Sequence, residues 1–203
     1  MKIRELLVPG AWEVTPDQFP DDRGTFCELY RRAELSHTIG HPLQLAQLNC
    51  STSRRGVLRG VHFADVPPGQ AKYVFCPAGA VLDVVVDLRT GSPTFGRWDS
   101  VVLDESSRRA VYLAEGLGHA FLAMAERSTV TYLCSQAYRP GHEHGVHPLD
   151  PDLALPWPAD LEPVLSPKDA AAPSLAAAAA AAGLLPSYEV CADLYARLGS
   201  DPA

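Results

Sequence analysis

The sequence contains no uninterrupted apolar run of the roughly 18 residues that a membrane-spanning helix requires. It also has no excess of positive charge. Seventeen lysines and arginines face 24 aspartates and glutamates over 203 residues, a net charge of −7, so no overall basic field draws in nucleic acid. An anionic ligand must therefore be held by individually placed arginines. The cysteines (Cys27, Cys50, Cys76, Cys134 and Cys191) are odd in number, scattered and never in a C-x-x-C pair, which argues against a disulfide frame or a zinc knuckle. A reducing cytoplasm is the expected compartment. The segment from Met1 to Gly10 reaches Pro9 after one short apolar patch, without a secretory h-region or small-residue cleavage site, so export is not expected. The β-rich middle of the chain lacks the H-x-H pair with which small β-barrels commonly hold a metal. The one histidine cluster, His142-x-His144-x-x-His147, lies in a proline-rich stretch with no regular element to fix ligand geometry. No metal site is expected.

What is present suits a globular protein. With 47% hydrophobic and 20% charged residues the composition is ordinary, and a chain of this length can bury roughly 70% of its unfolded surface. A single domain over residues 1–203 is expected, with a β core at about 46–138 and a C-terminal wrapping loop and helices at about 139–203. Residues 1–45 read as short strands and one irregular or helical piece. From 46 to 135 the apolar runs VLRGVHF, KYVFC, AVLDVVVDL, DSVVL, AVYLA, HAFLAMA and STVTYLC recur at short intervals, punctuated by glycine, proline and polar turns. That pattern predicts an all-β antiparallel sandwich or barrel, and the lack of helix-length periods between strands excludes a doubly wound α/β fold. Beyond Tyr138 the prolines enforce a loop. Ser174 can cap a helix through Ala176–Ala182, ended by Gly183, and a second helix is expected from Ser187 to Leu198, ended by Gly199.

Strand parity sorts the candidate chemical groups. In Ala80–Leu88, Asp83 and Asp87 share a face with Val81 and Val85, while Leu82, Val84 and Val86 point the other way. A carboxylate on such a strand is either on a solvated face or, if buried, paired. Lys72 opens the preceding strand with Val74 and Cys76 on its face; a lone lysine there is ordinarily solvated. His62 and His119 each sit in an apolar strand, where a histidine is more often structural than catalytic. Arg59 and His62 have opposite parity in a regular strand, so both line one pocket only if the chain bulges near Gly60.

Four blocks belong together: Arg55-Gly-Val-Leu-Arg-Gly-Val-His-Phe63, Gly91-Ser-Pro-Thr-Phe-Gly96, Glu115-Gly-Leu-Gly-His-Ala-Phe121 and Leu165-Ser-Pro-Lys-Asp169. In order and spacing, and with Phe19-Pro-Asp-Asp-Arg-Gly24, they resemble the dTDP-4-dehydrorhamnose 3,5-epimerase family over about three quarters of the chain. The resemblance implies a metal-free, cofactor-free cupin-type jelly-roll barrel that forms homodimers and acts on a dTDP-4-keto-6-deoxyhexose. It implies His62 as the base, oriented by Asp169; Lys72 at the 4-keto oxygen; and Tyr132 as the acid on the opposite face. It further implies substrate contacts from Phe19, Arg23, Glu28, Gln47, Asn49, Arg59, Asp83, His119 and Tyr138, with Arg23 and its neighbours coming from the second subunit. Physically, the 4-keto group acidifies the C–H bonds at carbons 3 and 5, so that a base can leave an enolate. The chain departs from the rhamnose enzymes at Ala64-Asp-Val-Pro-Pro-Gly-Gln70 and His147-Pro-Leu-Asp150, and looks like the branch that makes antibiotic deoxysugars. The expected reaction is inversion at carbon 3, with 3,5-double or 5-epimerisation as the alternative and a metal-dependent cupin enzyme as the rival class.

Overall fold

The computed structural model describes residues 1–200. The N-terminal part supplies β1 (Lys2–Glu5), β2 (Ala11–Thr15), β3 (Gln18–Asp21), β4 (Gly24–Cys27) and α1 (Arg32–Ile39). The middle is β5 (Gln47–Ser53), β6 (Leu58–Ala64), β7 (Lys72–Ala78), β8 (Ala80–Asp87), β9 (Trp98–Asp104), β10 (Ala110–Leu113), β11 (Leu117–Ala123) and β12 (Ser128–Cys134). The C-terminal part adds β13 (Glu143–Gly145), α2 (Pro167–Ala170), α3 (Leu175–Ala180) and α4 (Tyr188–Ser200).

The strands form two open antiparallel sheets rather than one closed barrel. Sheet one has the order β1-β2-β10-β7-β12-β5, sheet two the order β13-β6-β11-β8-β9, and β3 and β4 form a separate two-stranded hairpin. Between the sheets lies the main core, with Val74, Cys76, Tyr112 and Val130 from one side and Val81, Val85, Leu103 and Phe121 from the other. The outer face of sheet two is covered as well: Val61, Phe63, Val84 and Val86 pack beneath Leu153, Leu175, Ala178 and Leu185 of the C-terminal segment. Burial on both faces explains why β8 reads as a nearly continuous apolar run. Val84 and Val86 are fully buried, and each contributes roughly 1.5–3 kcal/mol of transfer free energy.

The predicted parity of β8 holds, but neither aspartate is solvated. Asp87 accepts from Arg89 Nε and Nη2, each at 2.8 Å, and from the hydroxyls of Ser92 and Thr94, each at 2.6 Å. The Gly91-Ser-Pro-Thr block is thus a turn folded back onto a buried carboxylate. Burial raises the Asp87 pKa, but those four bonds outweigh it and leave the carboxyl below its usual range.

Ser174 caps α3 by accepting from the Ala177 N–H at 3.1 Å, as expected, although the helix ends at Ala180, before Gly183. Gly199 does not end α4, which continues through Ser200. The histidine cluster serves the loop: His142 and His144 both bond Asp65, and His147 Nδ1 accepts from the Leu149 N–H.

Candidate active site

Two histidines of sheet two stand side by side, each paired with a carboxylate. His62 on β6 and His119 on β11 are direct cross-strand partners. His62 Nε2 lies 2.6 Å from Asp169 Oδ1, and His119 Nε2 lies 2.7 Å from Asp83 Oδ2. The predicted bulge is present: His62 opposes His119 while Arg59 opposes Phe121, so three steps on β6 match two on β11. Gly60 makes this possible. Its φ is +118°, and a Cβ there would come within 2.5 Å of the His119 carbonyl oxygen. The bulge puts Arg59 on the same side as His62, where its Nε donates to Ser53 Oγ at 3.2 Å.

Asp169 is delivered by α2, and its local sequence explains how. Ser166 is the N-cap, Pro167 occupies the first helical position, and Ser166 Oγ accepts from the Asp169 N–H at 3.0 Å. The Leu165-Ser-Pro-Lys-Asp169 block is therefore a helix start whose third residue aims a buried carboxylate at His62. Burial pushes the Asp169 pKa up, but hydrogen bonds from His62, Ser166 and the Gly60 backbone pull it further down, so the group is ionised and can only accept. His62 Nε2 must then carry the hydrogen, which leaves Nδ1 as the basic nitrogen. The two histidines differ in access: the His62 side chain is 34% exposed and that of His119 8%, so His62 is the more open of the two.

Sheet one supplies the facing groups. Tyr132 opposes Asn49 on one side and Val74 on the other, and Cys134 opposes Gln47 and Lys72. Directly opposed residues share a face, so Lys72, Tyr132, Asn49 and Gln47 all belong to the face that carries core residue Val74. Gln47 Nε2 donates to Asn49 Oδ1 at 2.7 Å, and Gln47 Oε1 accepts from the Tyr138 backbone N–H at 2.8 Å. Lys72 is buried, and desolvation pushes its pKa down against the pull of Cys134, Glu143 and Asp83. Burial likewise raises the Tyr132 pKa, so its hydroxyl stays protonated across the neutral range.

A single chain thus gathers His62, Asp169, His119, Asp83, Lys72, Tyr132, Gln47 and Asn49 at the inter-sheet space, with Arg59 and Tyr138 at its margin. It does not bring in Phe19, Arg23 or Glu28. Phe19 and Arg23 lie on the exposed β3–β4 hairpin and Glu28 just beyond it, and the Arg23 guanidinium bonds only Asp21 of its own turn among the described residues. Glu143 was not singled out from sequence, yet its charge acts on Lys72, Tyr132 and Cys134. Its placement depends on β13, which the proline-rich composition hid.

An imidazole on one sheet, paired with a carboxylate from α2 and facing a phenol and a buried lysine on the other sheet, is an arrangement suited to proton transfer between two β layers. The family model of dTDP-4-dehydrorhamnose 3,5-epimerase matches residues 5–177, and the chain belongs to that family. It is similar to the rmlC epimerase of Mycobacterium tuberculosis, at 52% identity and a TM-score of 0.95, covering 98% of this chain and 100% of that one. It is also similar to NovW, a 4-keto-6-deoxy sugar epimerase from the novobiocin gene cluster of Streptomyces spheroides (56% identity, TM-score 0.91, coverage 94% and 95%). A third likeness is to ChmJ, a 3'-monoepimerase from Streptomyces bikiniensis solved with dTDP-quinovose (47% identity, TM-score 0.94, coverage 97% and 98%).

Proposed function

We propose that the protein is an isomerase that inverts carbon 3 of dTDP-4-keto-6-deoxy-D-glucose through an enolate, in deoxysugar synthesis for a secondary metabolite. The observation that carries the reading is the accessible His62 on one sheet, paired with Asp169 of α2, with Tyr132 and Lys72 on the facing sheet. His62 Nδ1 takes the proton from carbon 3, and Asp169 stabilises the imidazolium that results. The Lys72 ammonium stabilises negative charge developing on the 4-keto oxygen. Tyr132 returns a proton to the opposite face, which inverts the centre; the imidazolium then loses its proton to solvent and the tyrosinate takes one back, which restores both groups. None of these steps calls for a metal or organic cofactor, because the ammonium supplies the electrophile. ChmJ, a 3'-monoepimerase, favours the carbon-3 reaction, and NovW, from the novobiocin gene cluster, favours the antibiotic branch; the family's 3,5-epimerase description supports double inversion as the second reading.

Several coarser features fit this function. The two facing sheets suit a jelly roll of the cupin type within one domain spanning the chain. Exposed Phe19, Phe26 and Leu48 suit a homodimer in which the β3–β4 hairpin carries Phe19 and Arg23 to the partner's site, where Arg23 and Arg59 grip the diphosphate by charge-assisted bonds. No helix among the described residues is long and apolar enough to cross a membrane, and a cytoplasmic location fits free cysteines and a sugar-nucleotide substrate. Proton NMR with dTDP-4-keto-6-deoxyglucose in D₂O tests the reading: deuterium and inversion at carbon 3 alone are expected. Inversion at both carbons selects the double epimerase, and no exchange at either refutes the function. Mixing His62→Ala with Arg23→Ala subunits should restore activity that neither has alone if the sites are shared; failure to complement refutes the shared site.

A further inference from the structure

One carboxylate pins the loop beside His62. Asp65, immediately after β6, is bonded by two imidazoles: His142 Nδ1 lies 3.0 Å from its Oδ2 and His144 Nε2 lies 2.7 Å from its Oδ1. Its backbone N–H also donates to the His142 carbonyl at 3.0 Å. The two pinned histidines flank Glu143. In the β6–β13 ladder Glu143 opposes Ala64, His144 opposes Phe63 and Gly145 opposes His62. Alternation therefore sends His144 outward with Phe63, their rings 5.5 Å apart, and sends Glu143 inward with Ala64, to the face that carries His62.

Past Gly145 the pairing is held by reciprocal Val61–Val146 backbone bonds of 3.1 and 3.0 Å and by fully buried Val146, whereas the start of β13 has Asp65 as its side-chain anchor. β13 is three residues long, lies at the edge of its sheet and follows the Tyr138-Arg-Pro-Gly141 loop. A short edge strand anchored at one end frays from the other, and fraying there would release Glu143 from its inward-facing position. We propose that Asp65, acting through His142 and His144, is a positioning residue for the reaction proposed above: its carboxylate pins the start of β13 and so holds the Glu143 carboxylate on the face that carries His62. The inference rests on that functional reading. An ionised carboxylate only accepts, so both bonded ring nitrogens carry hydrogen, and an asparagine, with a single side-chain oxygen, can accept from only one of them in the same way. Asp65 and His142 are substantially solvent-exposed, at 35% and 51%, so losing the clamp frees a loop rather than opening the core.

A double-mutant cycle with Glu143 tests this, read as kcat and KM for deuterium exchange at carbon 3, with thermal unfolding measured in parallel. Asp65→Ala is expected to lower kcat/KM about tenfold, less than the roughly 10²-fold that a 1 Å misplacement can cost. In a Glu143→Gln background the same change is expected to cost less than about twofold, because the two residues act as a unit. Asp65→Asn, which is isosteric and keeps one acceptor, should retain part of the loss-sensitive activity and serves as the working variant if the alanine form does not fold. Asp65 variants with wild-type kinetics, or costs that simply multiply in the double variant, overturn the proposal while leaving the function intact. A wild-type protein that exchanges neither carbon refutes the functional reading, and the clamp's catalytic role with it.

Discussion

Tyr132→Phe separates the two halves of the reaction. The hydroxyl is the only group removed, and at a partly buried position its loss costs about 1 kcal/mol of stability or less, too little to unfold the chain. His62 on the other sheet and its partner Asp169 on α2 are untouched, so abstraction of the carbon-3 proton should continue. A positioned acid is worth roughly 10²–10⁴ in rate, so inversion should fall at least ~10²-fold, or about 2.7 kcal/mol of barrier. Burial raises the Tyr132 pKa, and the charges of Cys134 and Glu143 add to the effect, so the wild-type group is a competent acid at neutral pH. In D₂O the variant should wash deuterium into carbon 3 within about tenfold of the wild-type rate while keeping the starting configuration. Proton NMR reads both quantities in one sample, exchange from loss of the carbon-3 proton signal and inversion from the couplings. Wild-type inversion in Tyr132→Phe refutes Tyr132 as the acid. Exchange and inversion lost together would place the tyrosine on the abstraction step instead and overturn the division of roles between the sheets.

Asp169→Asn should cost about 10²-fold or more in exchange, because the amide can offer Nε2 a hydrogen and turn the basic nitrogen away; wild-type exchange rates would count against the dyad. Gly60→Ala should destabilise the fold by about 1–3 kcal/mol in urea unfolding, since it forces a side chain to φ +118° and into the His119 carbonyl. An alanine variant as stable as wild type would mean the bulge can relax. Asp87→Asn should cost about 3–5 kcal/mol by leaving Arg89 buried and unpaired. The Asp87 pKa is held below its unfolded value, so its contribution is present above the ordinary aspartate range and lost as pH falls through the folded value. The wild type should lose this stability on acidification and the asparagine variant should show a flatter acid limb; parallel acid limbs would contradict the linkage.

Seven apolar runs in the sequence correspond to β6 through β12, because period-2 patterning and turn residues mark those strands locally. β5 was less visible: Gln47 to Ser53 is a polar sheet-edge strand whose alternate residues are exposed, so it carries no apolar run. β13 was hidden because three residues paired only to β6 leave no periodic trace. Within the site, parity correctly grouped Lys72 with Val74 and set the condition for Arg59 and His62 to meet, since both arguments need only the strand's own geometry. The His62–Asp169 contact spans 107 positions, and only the resemblance pointed to it. The helix cap that aims Asp169 was readable as a local signal in Ser166-Pro-Lys-Asp169, but its target was not.

Asp83 and Asp87 show where local reading stops. They lie on the same strand and the same face, with the same valine neighbours, and both are buried. Asp87 is saturated by Arg89, Ser92 and Thr94, all within seven residues of it, and has nothing left to offer a ligand. Among the described residues Asp83 has one long-range partner, His119, and its Oδ1 lacks a hydrogen-bond partner, while its charge acts on Lys72 across the sheets. A buried carboxylate satisfied by its own turn is a structural group, whereas one left partly unsatisfied beside a desolvated ammonium retains electrostatic leverage on the reaction. The difference lies in the partners rather than in the strand pattern. Desolvation pushes the Lys72 pKa down, and Asp83 joins Cys134 and Glu143 in acting against that push, which favours the ammonium form that the proposed reaction uses.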